Sequence, residues 1–245
     1  YYNRIIVPFR NPNMLGIWTV IFVEAVFCFN YKPIVKVLML ISGLGIIYFT
    51  GSRTAMIIII IIIGIVFIKQ LTSKKNVKNI SKYILVLIIV AIMLVPIIEK
   101  NSQLFYSIRF NNINDSMEDI GGRTDIWNKY MQSIEDNLLL GNGIVKSDDI
   151  IFDNLYIQYI YYYGLIGLAT LAVFFIRNLY NAWKLYKKGK EKTLALLMIL
   201  IQITIIIAGI TVQILDTLQI FFFYIMSMAY IDVELKKLSK NNADL

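Results

Sequence analysis

Seven apolar runs, each close to the length that crosses a bilayer, leave this chain few ways to fold. They fall at roughly 14–30, 34–50, 54–70, 82–98, 154–177, 193–212 and 217–233. A span needs about 20 apolar residues, with 17–25 tolerated, and the backbone of a spanning segment must satisfy its own hydrogen bonds. The expected fold is therefore all-α: a polytopic membrane bundle of about seven spans. Composition agrees. Hydrophobic residues make up 58% of the 245 and charged residues only 16%, against about 25% charged in a soluble domain. We read residues 1–245 as one membrane domain containing a single long polar segment at 99–152. The opening Tyr1-Tyr2-Asn3 shows no charged leader and cleavage site, and suggests the C-terminal part of a longer protein.

Charge sets the orientation. Lys32 and Lys36, the group from Lys69 to Lys82, the group from Arg177 to Lys192, and Lys236, Lys237 and Lys240 fall in alternate loops. Together they hold sixteen of the 24 basic residues, so these loops and the C-terminus are expected in the cytoplasm. The sign alternates at every crossing. The net charge of +8 is then a topology signal rather than a nucleic-acid footprint. Segment 99–152, net acidic, the break at 51–53 and the turn near Asp216 are placed on the outer side. Cys28 lies alone in an apolar run, which excludes a disulfide framework. The chain has no histidine, and so lacks the commonest general base and metal ligand.

Arginine is concentrated on the outer side, where Arg4, Arg10, Arg53, Arg109 and Arg123 lie; Arg177 alone is on the other. Arg53 is the most unusual of them, because it interrupts two apolar runs in Gly51-Ser52-Arg53-Thr54. An arginine at bilayer depth costs roughly 2.5–3.5 kcal/mol, so it implies either snorkelling, an ion pair or an anion to hold. The same local pattern recurs in Gly121-Gly122-Arg123-Thr124, at the head of a 3.6-residue stripe through Ile126, Trp127, Tyr130, Met131, Ile134 and Leu138. That stripe predicts an amphipathic helix capped by Thr124 and stopped by Gly141, lying on the membrane face. Backbone donors at a helix start beside a guanidinium fork suit phosphate or carboxylate. The run Ile57 to Ile63 reads as lipid-facing.

Asp153, at the start of the fifth run, is either a helix cap or a carboxylate able to take a proton from a sugar hydroxyl. Tyr156, Tyr159, Tyr161, Tyr162 and Tyr163 fit an interfacial belt or a sugar-stacking wall. Asn11-Pro12-Asn13 marks a turn into the first run.

Taken in order, these motifs resemble the O-antigen ligase/polymerase family. They are Asn11 to Asn13; Ser52, Arg53 and Ala55; Gly122, Arg123 and Trp127; Leu139, Gly141 and Gly143; Asn154, Tyr156 and Gln158; then Gly164 and Gly167. The resemblance implies glycosyl transfer at the outer face of a bacterial inner membrane, from an undecaprenyl-diphosphate-linked glycan, without metal, cofactor or nucleotide sugar. It casts Arg53 and Arg123 as the diphosphate grip, with Asn154 and Tyr156 beside the substrate and Arg4 and Arg10 near a second lipid carrier. Where the ligases carry histidine before Asn154, this chain has Asp153, which favours a repeat-unit polymerase and makes Asp153 the candidate base. A chain-length regulator and a flippase are the implied partners, and several further spans would precede residue 1. A ligase remains the alternative. A transporter is disfavoured, since charges within the spans are few and Glu24 is the clearest.

Overall fold

The computed structural model describes residues 6–9, 11–72, 123–144, 152–189 and 191–241. Among them all regular structure is helical: α1 (Pro12–Cys28), α2 (Pro33–Thr50), α3 (Arg53–Thr72), α4 (Arg123–Asp136), α5 (Leu155–Lys188), α6 (Lys192–Ala208) and α7 (Leu218–Asn241). A single 3-10 turn, Ile214–Asp216, joins α6 to α7. Three helices are long and apolar enough to cross a membrane, namely α2, α5 and α7. Pro12–Cys28, Arg53–Val66 and Lys192–Ala208 are shorter apolar helices. The run expected at 82–98 lies outside the described residues, as do Arg4 and Arg10.

Contacts divide the chain into two compact units, Tyr1–Ile113 and Asn114–Leu245. In the first, α1 packs against both α2 and α3. Its start is set locally, because the Asn11 side chain accepts from the Asn13 N–H at 2.9 Å and Pro12 supplies a pre-set first turn. Its end is held by Lys36, whose Nζ donates to the carbonyls of Phe27 at 3.1 Å and Phe29 at 3.3 Å. A cation on the last carbonyls complements the negative end of a helix. The structure corrects the reading of the isoleucine run. Ile57, Ile60 and Ile61 are exposed, but Ile58, Ile59 and Ile62 are buried with Ala55, so the run supplies a helix–helix seam as well as an outer face. Composition could not separate the two, because all seven residues are alike and only the packing partner selects a stripe.

In the second unit α5 packs on α6 and α7, and α4 rests on α5. Where the stripe predicted an amphipathic helix, α4 stands, with Tyr130 and Ile134 buried and Asn128, Met131 and Gln132 exposed. It begins at Arg123, one residue before the expected Thr124 cap, and ends at Asp136, short of Leu138 and Gly141. Helix α5 is broken inside. Gly164 takes φ 63 and ψ −162, a backbone region only glycine adopts without strain. A break in an apolar helix frees backbone groups that lipid cannot satisfy. The segment after α4 satisfies them: Asn142 N–H donates to the Tyr161 carbonyl at 2.7 Å and Gly143 N–H to Tyr162 at 3.0 Å. In return Leu165 N–H donates to the Leu138 carbonyl at 2.8 Å. The Leu139-x-Gly141-x-Gly143 motif is thus a backbone clasp around the kink.

Candidate active site

In the first unit the site is the break between α2 and α3. Gly51 ends α2 in the left-handed conformation, its N–H donating to the Tyr48 carbonyl at 3.0 Å. Thr50 Oγ1 donates to the Ile47 carbonyl at 2.6 Å and accepts from Ser52 N–H at 3.3 Å. Ser52 Oγ then accepts from Ala55 N–H at 3.3 Å, which caps the start of α3. Thr50, Ser52 and Thr54 are buried, and the hydroxyls of Thr50 and Ser52 serve the backbone. Arg53, at the first position of α3, is exposed instead. The sequence builds a satisfied polar turn and leaves its one cation outside.

Gly16 brings a second helix start to this turn. A Cβ there would lie 2.9 Å from the Ala55 Cβ, 3.0 Å from the Ser52 Cβ and 3.2 Å from Thr50 Oγ1. Only a glycine permits so close an approach, and so the first turns of α1 and α3 lie side by side. Two positive helix ends and the Arg53 guanidinium therefore gather at one end of this unit, a combination that attracts anions. Glu24, fully buried along α1, is at the level of the packed helices.

In the second unit the site surrounds the start of α5. Asn154 is the helix cap, its Oδ1 accepting from the N–H groups of Tyr156 at 2.8 Å and Ile157 at 3.1 Å. The capping alternative for Asp153 is thereby overturned. Asp153 sits just outside the helix with φ 46, the only described non-glycine residue of positive φ. Its neighbours hold it there. Phe152 is fully buried, and Asn154 Nδ2 donates to the Ile210 carbonyl at 2.9 Å. Leu155 N–H donates to the Gly209 carbonyl at 2.8 Å, and the Tyr156 hydroxyl to the Ile206 carbonyl at 2.6 Å. Gln158 Nε2 donates to Asp216 Oδ2 at 2.9 Å. Asn154 and Tyr156 thus spend their polar atoms on the chain itself, locking the head of α5 to the end of α6.

Phe152 also ties in α4. Its ring lies 4.9 Å from that of Tyr130 and 5.0 Å from that of Tyr161, and Ile134 completes the cluster. This is the work of two aromatics expected only as part of a stripe and a belt. Arg123 is the first residue of α4, seven positions or about 10 Å along the helix from Tyr130. Helix α4 and the segment bearing Asp153 therefore share one core. Arg53 belongs to the other unit. Sequence reasoning missed Gly16 and the Gln158–Asp216 pair. The signal for the latter was present in the spacing of Asn154 and Gln158, which puts both amides on one face of α5.

Against known families, the O-antigen ligase model (Wzy_C) matches residues 37–172. The chain belongs to the O-antigen ligase family. The matched stretch takes in the Arg53 break, Arg123, the clasp around Gly164 and the head of α5. Among curated proteins none matches the chain. Members of the O-antigen ligase family are membrane enzymes of glycosyltransferase type that act on lipid-linked glycans, and the apolar helices described above suit that setting.

Proposed function

We propose that this O-antigen ligase family member polymerises lipid-linked oligosaccharide repeat units for a surface polysaccharide such as O-antigen, capsule or exopolysaccharide. The growing glycan on undecaprenyl diphosphate is the donor, and a sugar hydroxyl of an incoming lipid-linked unit is the acceptor. The observation that carries this reading is Arg53: a single exposed cation at the joined first turns of two apolar helices, where a membrane-borne anion is the natural partner.

In the proposed reaction the acceptor oxygen attacks the anomeric carbon as the bond to the diphosphate oxygen breaks. The departing electron pair goes to the diphosphate, and Arg53 and Arg123 are assigned to the charge that develops there, because guanidinium donors stabilise such charge. The acceptor proton passes to the Asp153 carboxylate. Arg4 and Arg10 are assigned to the second lipid carrier, and Asn154 and Tyr156 support the substrate by fixing the loop that bears Asp153. The chemistry runs on the outer face of the cell membrane, with segment 99–152 outside and the C-terminus in the cytoplasm. A flippase supplies the repeat units, and a chain-length regulator acts on the product.

Polymerase is preferred to ligase because an aspartate stands where the ligases carry histidine, in a chain with no histidine. Deletion of the gene, followed by a gel of surface glycan, tests this directly. Single repeat units reaching the surface are expected. Long glycan stranded on its lipid carrier would make the chain a ligase, and units trapped inside would make it a flippase.

A further inference from the structure

The proposed reaction gives a role to Asp153 but none to the carboxylate on the other side of the α5 head. Asp216 closes the turn Ile214–Asp216, and this turn is not free to move. Val212 and Ile214 anchor it in the core, and Asp216 N–H donates to the Gln213 carbonyl at 3.1 Å. Gln158, one turn beyond the Asn154 cap, pins the side chain through the 2.9 Å bond to Oδ2. The bond spans 58 residues of sequence, so it locates Asp216 relative to α5 rather than within its own loop.

The pair is exposed, yet incompletely used. Among the described residues no cation forms an ion pair with Asp216, and its Oδ1 has no hydrogen-bond donor. Gln158 Oε1 is buried and also lacks a donor among them. Buried acceptors are normally filled, and none of the described residues fills this one, so the Gln158 side chain is held through its Nε2 bond to Asp216 alone. Tyr159 and Leu215 stand beside the pair. They form the mouth of an apolar groove of about 440 Å³ that runs down between α5 and α7 past Phe174 and Tyr224.

An exposed carboxylate held in place by Gln158 and a tyrosine ring beside it together suit a polyhydroxylated ligand. Hydroxyls supply the donors and the ring packs on the C–H face of a sugar. The same group does not suit a diphosphate, which a lone carboxylate repels. We propose that Asp216, positioned by Gln158, binds the acceptor sugar by accepting a hydrogen bond from one of its hydroxyls. This assignment rests on the proposed glycan transfer, and it gives Asp216 to the acceptor where that proposal gives Arg53 to the donor diphosphate.

The test uses the full chain in lipid nanodiscs with two probes. One is the single repeat unit cut from its carrier by mild acid, whose binding is followed by saturation-transfer NMR. The other is transfer from lipid-linked polymer to the lipid-linked single unit. Asp216→Asn keeps an oxygen for Gln158 to bond, and its melting temperature should match the parent. It should weaken repeat-unit binding by about tenfold or more, the cost of losing a hydrogen bond to a charged acceptor. The acceptor KM should rise in proportion while the donor KM stays within about twofold. Gln158→Leu should fall between, and Arg53→Ala should leave repeat-unit binding unchanged. Unaltered binding by Asp216→Asn, no binding by the parent chain, or an equal rise in donor KM would each overturn the assignment. A parent chain that binds the repeat unit but does not extend glycan with it would instead defeat the polymerase reading, leaving the binding comparison to judge Asp216.

Discussion

Arg53 and Asp153 carry the functional argument at the scale of single residues, and their settings make different predictions. Arg53 is exposed beside a buried, self-satisfied turn, so replacing it leaves the fold intact. Arg53→Ala should reduce transfer on the order of a hundredfold, the usual consequence of losing one donor to a developing charge. Arg53→Lys keeps the charge but not the forked geometry, and polymer should still be short or absent. Normal chain length on a gel for both variants would remove Arg53 from the diphosphate grip. At Asp153 the backbone itself allows a cleaner separation. With φ 46 the residue occupies a region that suits glycine, so Asp153→Gly should hold stability level or raise it by up to about 1 kcal/mol. If the carboxylate is the base, the same substitution should cut transfer by roughly a hundredfold or more. Thermal unfolding and polymer length, read on one preparation, distinguish a strained structural residue from a chemical one. Undiminished transfer would end the assignment.

Among the elements, two close approaches decide where the site residues stand. Gly16 lets the heads of α1 and α3 touch. Gly16→Val would force a branched side chain into Ala55 and Ser52, and should cost about 1–3 kcal/mol as overpacking does. Transfer should fall with it, because the Arg53 turn would be displaced. Gly164 is constrained twice, by its backbone angles and by the Leu139 backbone lying against its Cα. Gly164→Ala should therefore destabilise by about 1–3 kcal/mol from the backbone alone. Melting curves in detergent measure both, and an unshifted midpoint for either would contradict the packing described. The motif glycines were legible in the sequence as motif positions, but their purpose was not. A clasp between residues 138–143 and 161–166 depends on a tertiary contact that no local propensity encodes. The head of α4 was legible to within one residue, because a 3.6-residue apolar stripe is a local signal; its end was not, since the stripe ran on through Leu138.

For the molecule as a whole, the charge bias proposes an orientation, and labelling can test it. Asp216 and Lys236 are twenty residues apart along α7 and the turn before it, about 30 Å if helical, which is one bilayer core. In a Cys28→Ser background, Asp216→Cys should react with a membrane-impermeant maleimide applied to intact cells, whereas Lys236→Cys should not. The opposite pattern would invert the topology and move the chemistry to the cytoplasmic side.

By itself the sequence determined that the chain is helical and membrane-borne, which arginines are unusual, and the family to which it belongs. The helical and membrane character rests on hydropathy and helical period, which are sums over near neighbours, whereas the family rests on the order of short motifs and the match over residues 37–172. Only the tertiary structure decided that Asn154 rather than Asp153 caps α5, that three of the seven isoleucines form a buried seam, and that Gln158 holds Asp216. The seam and the Gln158 bond depend on partners from distant parts of the chain, α1 and the α6–α7 turn, and the α5 head, capped locally by Asn154, is fixed in place by Gly209 and Ile210. A buried polar group must find its partner wherever the fold brings one, and that meeting is a property of packing.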